Sequence, residues 1–477
     1  VNSENVSSEN VSSENVSSES TNSKNSSSKN MSSEHSSPEG SDLKSGSTDV
    51  PRFDLIIVGA GMVGLAQAAI LANETELRIA VIEAGSFHQD FDETNWDARV
   101  VALSAASREL LERCNAWPEQ HGQRSCAYKS MYVWDAEGTG NIEFNARDIH
   151  EAQLGHIIEN RIVVKCLLNA LSEKQHTAGR SGDHIKDSSK DSSKDKSQSQ
   201  NNGQVTLISD TRVEDFTYDD ENKFAELYCG EDKIFRGSLI IAADGANSPM
   251  RELAEISTRE WDYGHTAIVS TVKLGQPHKF CAWQRFATEG PLAFLPLSRD
   301  GREQQHASIV WSVKSDQADA LMALDEDGFN AAITRCSESC LGSIELVDKR
   351  YAIALRQRHA QKYFKQGLAL IGDASHTIHP LAGQGVNLGF YDVNVLTEEI
   401  LRAVSRQIPL QDISILKRFE RRRQPHNLST MASMEFFKKL FGSDRIELRW
   451  LRNEGMKWMD KQFMFKKYLS RAAAGKI

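Results

Sequence analysis

An α/β fold built on a buried parallel sheet is what this sequence predicts, and three stretches carry the prediction. Phe53–Val58 is an apolar run of strand length, followed by Gly59-Ala60-Gly61-Met62-Val63-Gly64 and then by the Ala-rich helical stretch Leu65–Asn73; a second apolar run, Arg78–Ile82, ends in Glu83. Far downstream, Leu239–Ala243 ends in Asp244-Gly245. Farther still, Leu368–Ile371 ends in Gly372-Asp373. Unbroken apolar runs, rather than alternating ones, mark strands covered on both faces, as in a parallel sheet flanked by helices.

Each part of the first stretch has a physical job. Gly59 permits a sharp turn, Gly61 lets the backbone approach a pyrophosphate, and Gly64 lets helix and strand pack closely. The helix N-terminus presents free N–H groups and partial positive charge to phosphates. Glu83, about 20 residues beyond the turn, can accept hydrogen bonds from a ribose diol. A lone glycine motif would say little; the whole strand–turn–helix–strand–acid unit points to a Rossmann-like site for an adenine dinucleotide.

Taken in order, the chain opens with a polar tract over residues 1–50 that repeats SSENV and contains no aromatic residue, and we expect it to be disordered. After the glycine unit, Ala105–Cys114 predicts an amphipathic helix, and Lys129–Trp134 with Asn141–Phe144 predicts two strands joined at 137–140. His156–Leu171 has helical apolar spacing, starting around Glu159-Asn160-Arg161. The low-complexity segment 172–203 reads as a disordered surface insertion, which a fold tolerates at little thermodynamic cost. Val205–Ile208 is a further strand, and Val213–Tyr218 pairs with Phe224–Cys229 as a hairpin. Strand-like runs at 266–274, 280–287, 292–297 and 307–313, with helical patterns around 316–340, predict an antiparallel sheet that interrupts the α/β domain. A helix is expected from about Gly385 to Ser405, and 412–477 reads as amphipathic helices rich in Lys and Arg. The expected organisation is therefore a cofactor domain from 51–125, 148–256 and 358–411, a substrate domain from 126–147 and 257–357, and C-terminal helices over 412–477.

Composition narrows the class. A chain of 477 residues has room for two domains, and its net charge of −10 argues against general nucleic-acid binding. Seven scattered cysteines without paired spacing suggest reduced thiols in a cytoplasmic protein and no metal site. No apolar stretch approaches the ~20 residues that span a bilayer.

The segment 368–389 narrows the dinucleotide to FAD. Asp373, at the carboxyl end of a strand, is suited to accept hydrogen bonds from a sugar-alcohol chain. Gly383-Gln384-Gly385-Val386-Asn387 opens a helix whose N–H groups could stabilise negative charge on a reduced isoalloxazine. NAD offers neither partner.

These residues carry a family resemblance. Gly59–Gly64, Ala243-Asp244-Gly245-Ala246-Asn247-Ser248 and Gly372-Asp373-Ala374 resemble the three motifs of the single-component flavin aromatic hydroxylases. His376–Gly389, Leu154–Asn160, Ala293–Leu297 and Trp261-Asp262-Tyr263 resemble, within that group, the bacterial ubiquinone-biosynthesis hydroxylases, 2-polyprenylphenol hydroxylases above all. The resemblance covers nearly all of 53–442; the N-terminal tract, the 172–203 insertion and the last ~30 residues stray from it.

It implies that Glu83 holds the adenosine ribose and that Arg99 lies by the phosphates or the flavin. Asp244 and Gly245 would serve the pyrophosphate region and the docking of NAD(P)H, a transient reductant with no second glycine motif of its own. Asp373 would hold the ribityl chain, while Pro380, Gly383, Gln384, Gly385, Val386 and Asn387 would line the flavin and substrate face. Leu292, Phe294 and Pro296 are expected as an apolar wall for a polyprenylated ring, or as plain sheet core. The implied reaction is hydroxylation of a polyprenylated phenol by O2 through a flavin C4a-hydroperoxide, with no nucleophile, base or metal from the chain. Hydroxylation of a soluble aromatic compound, or a non-catalytic flavin-bound scaffold, stays open as an alternative.

Three further groups have open readings. His376 and His379 either polarise the phenol or are satisfied structural histidines. Arg251 either docks NAD(P)H or caps its helix. The basic C-terminal region with Arg421-Arg422-Arg423 either meets anionic lipid at the inner membrane, joins a ubiquinone-biosynthesis assembly, or is an ordinary solvated helix face.

Overall fold

The computed structural model describes residues 50–87, 91–92, 94–121, 123–136, 140–178, 204–230, 233–287, 290–377, 385–441, 454 and 462. Among them, two large sheets and one small one organise the chain, with strands and helices numbered along it.

The first sheet runs β18 (Phe364–Lys365), β19 (Leu368–Leu370), β11 (Ile234–Ala242), β1 (Arg52–Val58), β2 (Ile79–Ile82) and β8 (Val205–Ile208). From β19 to β8 every pairing is parallel. Leu55–Ile57, Ile79–Ile82, Leu239–Ala242 and Leu368–Leu370 are all fully buried, as parallel strands covered on both faces are. The hairpin of β9 (Asp215–Asp219) and β10 (Phe224–Tyr228) extends the start of β11 in antiparallel register. Helix α1 (Met62–Glu74) is apolar all round and buried from Gly64 to Ala72. It is packed between α3 (Asn160–Ala178) and α7 (Gly385–Ser405), which is where an all-apolar helix must sit.

The second sheet runs β20 (His376–Thr377), β17 (Tyr351–Ala360), β12 (Thr258–Leu274), β15 (His306–Lys314), β14 (Gly290–Leu297), β13 (Cys281–Ala287), β5 (Ser130–Asp135) and β6 (Asn141–Asn145), with β16 (Ile344–Leu346) on β12. It is antiparallel except where β13 meets β5. One face is covered by α5 (Ser315–Ala323) and α6 (Glu326–Cys336), whose Ala318, Phe329 and Ile333 pack on Ile268, Leu292, Phe294, Ile309 and Trp311. On the other face, Leu295 and Leu297 meet Trp96, Ala102 and Tyr128. Ala102 and Tyr128 belong to a three-stranded sheet of β3 (Val100–Leu103), β7 (Gly155–Glu159) and β4 (Cys126–Tyr128).

Several elements depart from the sequence reading. His156–Glu159 is strand, although α3 begins at Asn160, within the expected start; two antiparallel neighbours capture the apolar pair Ile157-Ile158 before the helical spacing takes over. Strand β12 starts at Thr258, eight residues earlier than expected, because a register shift between Asp262 and His265 bends it at Gly264 (φ +60°) without ending it. Helix α6 stops at Cys336, so Cys340 lies beyond it. All seven cysteines are free. No helix of the described residues is long and apolar enough to cross a membrane.

Candidate active site

The parallel register decides where the predicted residues meet. Val58, Ala242 and Leu370 are neighbours in one row across β1, β11 and β19. The turns that follow these strands therefore open on the same edge of the sheet. Strands are about 4.8 Å apart, so the Gly59 and Asp373 turns lie about 10 Å from each other. This carboxyl edge is where open α/β sheets take their ligands.

At the β1 end, a cleft of about 380 Å³ is lined by Gly59, Gly61, Glu83, Arg212, Asp244 and Gly245, among others. A Cβ on Gly59 (φ +102°) would meet the Ala243 carbonyl oxygen at 2.5 Å, and one on Gly64 would meet the Gly59 carbonyl oxygen at 2.0 Å. Gly64 thus lies beneath the turn and seals α1 against it. A Cβ on Gly61 would meet nothing within 4 Å, so that residue faces the open cleft. Gly61 caps α1 with no side-chain hydrogen bond, and the first turn holds no acid, which leaves its N–H groups free for an anion. Glu83 is drawn against the same turn: its Oε2 accepts from Ala60 N at 2.6 Å and its Oε1 from Gly85 N at 3.0 Å. A carboxylate has about four lone-pair positions, so two remain for a diol.

Asp244 turns inward. It accepts from Ser248 Oγ at 2.6 Å and from Met250 N at 3.0 Å, folding the start of α4 (Pro249–Leu253), and burial pushes its pKa up. Gly245 (φ +86°) leaves backbone exposed to the cleft. Arg251 neither caps its helix nor reaches solvent. It is buried, donating from Nη1 to the Ala374 carbonyl at 2.9 Å and from Nη2 to the Ala246 carbonyl at 3.1 Å. It ties the Asp244 turn to the Asp373 turn.

At the β19 end, Asp373 is exposed as a residue, while its carboxyl group is largely enclosed by neighbouring protein. That burial raises its pKa, with His376 opposing and Asp392 adding to the shift. Close packing joins this end to the first: a Cβ on Gly389 of α7 would meet Val63 Cγ2 of α1 at 2.7 Å and Gly372 Cα at 3.2 Å. Helix α7 carries no acid in its first turn. Its Asn387 accepts from Ser104 N at 3.0 Å and Ser107 Oγ at 2.6 Å and donates one amide hydrogen to the Ala102 carbonyl at 2.8 Å. The second amide hydrogen, with the main chain of Gly385, Val386 and Asn387, is left to face a ligand. Arg99, three residues before Ala102, is exposed and shares Asp97 at 3.6 Å. Pro380, Gly383 and Gln384, with His379, lie outside the described residues.

Leu292 and Phe294 are brought to a different place. They are sheet core under α5 and α6, on the face turned away from Ala102 and β3. Pro296, two residues further along the strand, shares their side by alternation. His376 is likewise internal: it is buried and bonded to Asp392 at 2.6 Å, and so answers to the structural reading. Arg422 pairs with Glu398 at 2.6 Å and Glu399 at 3.0 Å, and Arg423 is fully buried, so neither presents free charge to a surface. Sequence reasoning missed Thr211 and Arg212, which reach the cleft because Thr211 N donates to the Glu83 carbonyl at 2.9 Å. It also missed Asp392, whose one signal is an acid among apolar residues on the buried face of α7.

The residues present fit FAD: a glycine cradle with free N–H groups and a diol acceptor stands at one end, and a second carboxylate with a second helix start stands two strands away. Comparison with known proteins agrees. Residues 196–432 match the family model described as FAD binding domain. The chain is 31% identical over 423 residues to 3-demethoxyubiquinol 3-hydroxylase of Escherichia coli K12, spanning 88% of this chain and 98% of that one. It is 30% identical over 453 residues to the mitochondrial ubiquinone biosynthesis monooxygenase COQ6 of Danio rerio, spanning 87% and 88% of the two chains. Among solved structures, p-nitrophenol 4-monooxygenase PnpA of Pseudomonas putida superposes with a TM-score of 0.65 at 14% identity, over 89% of this chain and 98% of that one, which speaks for the fold alone. From the glycine cradle to the relatives that share nearly its whole length, the chain belongs to the ubiquinone-biosynthesis hydroxylases of the class A FAD-dependent monooxygenases.

Proposed function

We propose that the chain is an FAD-dependent monooxygenase that hydroxylates a polyprenylated phenol ring in ubiquinone biosynthesis, with NAD(P)H as transient reductant and O2 as oxidant. The observation that carries this reading is the single sheet edge bearing both turns, in a chain whose relatives are named for ubiquinone hydroxylation. Bound there, FAD would supply acceptance of hydride from NAD(P)H and activation of O2. The chain's own residues bind, orient and exclude water. Gly59 and Gly61 would let the backbone approach the pyrophosphate, Glu83 would hold the ribose, and Arg99 would approach the phosphates or the flavin. Gly245 would leave its backbone open to the pyrophosphate and to a docking reductant, with Asp244 shaping the turn. Asp373 would hold the ribityl chain. Gly383, Gln384, Gly385, Val386 and Asn387 would present main-chain N–H groups to charge that develops on the ring, and Pro380 would border it.

For the substrate we infer the face of the second sheet that carries Ala293, Leu295 and Leu297. It packs against Trp96 and Ala102, and Ala102 is the residue to which the start of α7 is bonded. A prenyl tail dissolves in a bilayer, so the same reading includes contact with a membrane surface or a biosynthetic assembly. The test is NAD(P)H oxidation by the flavin-loaded chain, with a long-chain alkylphenol presented in anionic vesicles. Faster oxidation coupled to a hydroxylated ring is expected. Bound flavin with no NAD(P)H oxidation and no hydroxylated product would leave a scaffold, and coupling only with soluble aromatic acids would favour the other hydroxylase class.

A further inference from the structure

Beneath the Gly372-Asp373 turn lies a charged cluster that no step above uses. Asp392 of α7, Arg423 of α8 (Ile413–Phe441) and His376 of β20 are 0%, 0% and 1% exposed. Asp392 Oδ2 accepts from Gly372 N at 2.9 Å and from His376 Nε2 at 2.6 Å, while its Oδ1 accepts from Arg423 Nε at 2.6 Å. Arg423 is itself pinned: Nη2 donates to Asn427 Oδ1 at 2.5 Å and to the Leu388 carbonyl at 3.3 Å, and its guanidinium lies over the Tyr391 ring at 4.3 Å. Asn427 Nδ2 donates in turn to Tyr363 Oη at 3.0 Å, and Tyr363 Oη lies 3.0 Å from His359 Nε2.

We propose that Asp392 is a positioning residue for the flavin-side turn, and that Arg423, reaching in from the C-terminal helix, sets how well that turn holds FAD. The inference rests on the FAD reading above. Gly372 occupies a left-handed conformation (φ +60°), and its N–H points at Asp392 rather than at a strand neighbour. That one bond fixes the direction in which the next residue, Asp373, leaves the sheet. Burial alone would raise the pKa of Asp392, but His376 and Arg423 together hold it well below the usual carboxylate range, so it stays an anion able to accept from Gly372. A buried ion pair is a poor source of stability compared with apolar packing, whereas it fixes geometry sharply. Such an outer layer of contacts typically alters ligand affinity without touching the ligand.

The experiment titrates FAD into flavin-stripped full-length chain, following flavin fluorescence and the visible absorption bands, with circular dichroism of each apo-protein as the check on folding. Arg423→Met and Asp392→Asn should each weaken FAD binding about tenfold and shift the flavin bands. Arg422→Ala should change neither, since Arg422 is half-exposed and its ion-pair partners among the described residues are Glu398 and Glu399. Should Arg423→Met fail to fold, Arg423→Lys decides, because it keeps the buried charge but cannot make the forked contacts; an intermediate loss of affinity supports the proposal. Folded variants that bind FAD as wild type does, with unshifted bands, overturn it. Wild-type chain that takes up no FAD would instead remove the cofactor reading, and this one with it.

Discussion

Gly64→Ala should yield a chain that purifies without flavin and unfolds at markedly lower temperature. The added Cβ would stand 2.0 Å from the Gly59 carbonyl oxygen and 3.2 Å from Ala243 Cβ. The nearer neighbour is backbone in the glycine turn, so it cannot rotate away; either α1 lifts or the turn opens. Overpacking typically costs about 1–3 kcal/mol, and a clash with backbone this close belongs at the upper end, a large share of the stability of a domain. Gly61→Ala separates the fold from the ligand. A Cβ there meets nothing within 4 Å, so the variant should melt like wild type yet lose FAD, since the methyl fills the space a pyrophosphate would take. Thermal melts alongside flavin content decide both. A Gly61→Ala chain that retains flavin fully would mean the pyrophosphate does not lie over that turn.

The second large effect is expected at Asp373. Asp373→Ala removes the acceptor at the carboxyl end of β19 while leaving the bond from Gly372 N to Asp392 in place. Hydrogen bonds to a charged group are worth about 1.5–3 kcal/mol, which converts to roughly 10- to 100-fold weaker FAD binding. The apo-protein should be no less stable, because burial already disfavours the ionised form of Asp373. Asp373→Asn, which keeps an acceptor of the same shape, should recover part of the affinity. A fully yellow Asp373→Ala chain with native activity would show that the residue has no part in holding the coenzyme.

How much of this could be read from the chain alone depends on how local each feature is. The glycine turn, Glu83 and the Asp373 turn were legible because each is announced by its own neighbours: an unbroken apolar run, then a small or acidic residue where the strand must end. Their adjacency was not, since it follows from β11 pairing with β1 on one side and β19 on the other. Alternation along β14 tells that Leu292 and Phe294 share a face but not what that face meets, so they proved to be core beneath α5 and α6. Arg251 and Arg423 illustrate the same limit for charge. Arg251 read as a reductant-docking residue or a helix cap and Arg423 as part of a basic helical region, and each is buried because its partners come from elements remote in the chain: Ala374 for one, Asp392 for the other. The Ile157-Ile158 pair fits a helix or a strand equally well, and only β3 and β4 decide between them.

The central claim is that one coenzyme spans the two turns on the shared sheet edge, and competitive binding tests it most directly. Flavin-stripped chain is titrated with FAD, with FMN and with ADP, the latter two each able to reach only one of the turns. If both turns grip the same molecule, tethering makes the second contact intramolecular, and FAD should bind about 100-fold or more tightly than either part. FMN or ADP binding as tightly as FAD would mean that only one of the two turns holds it.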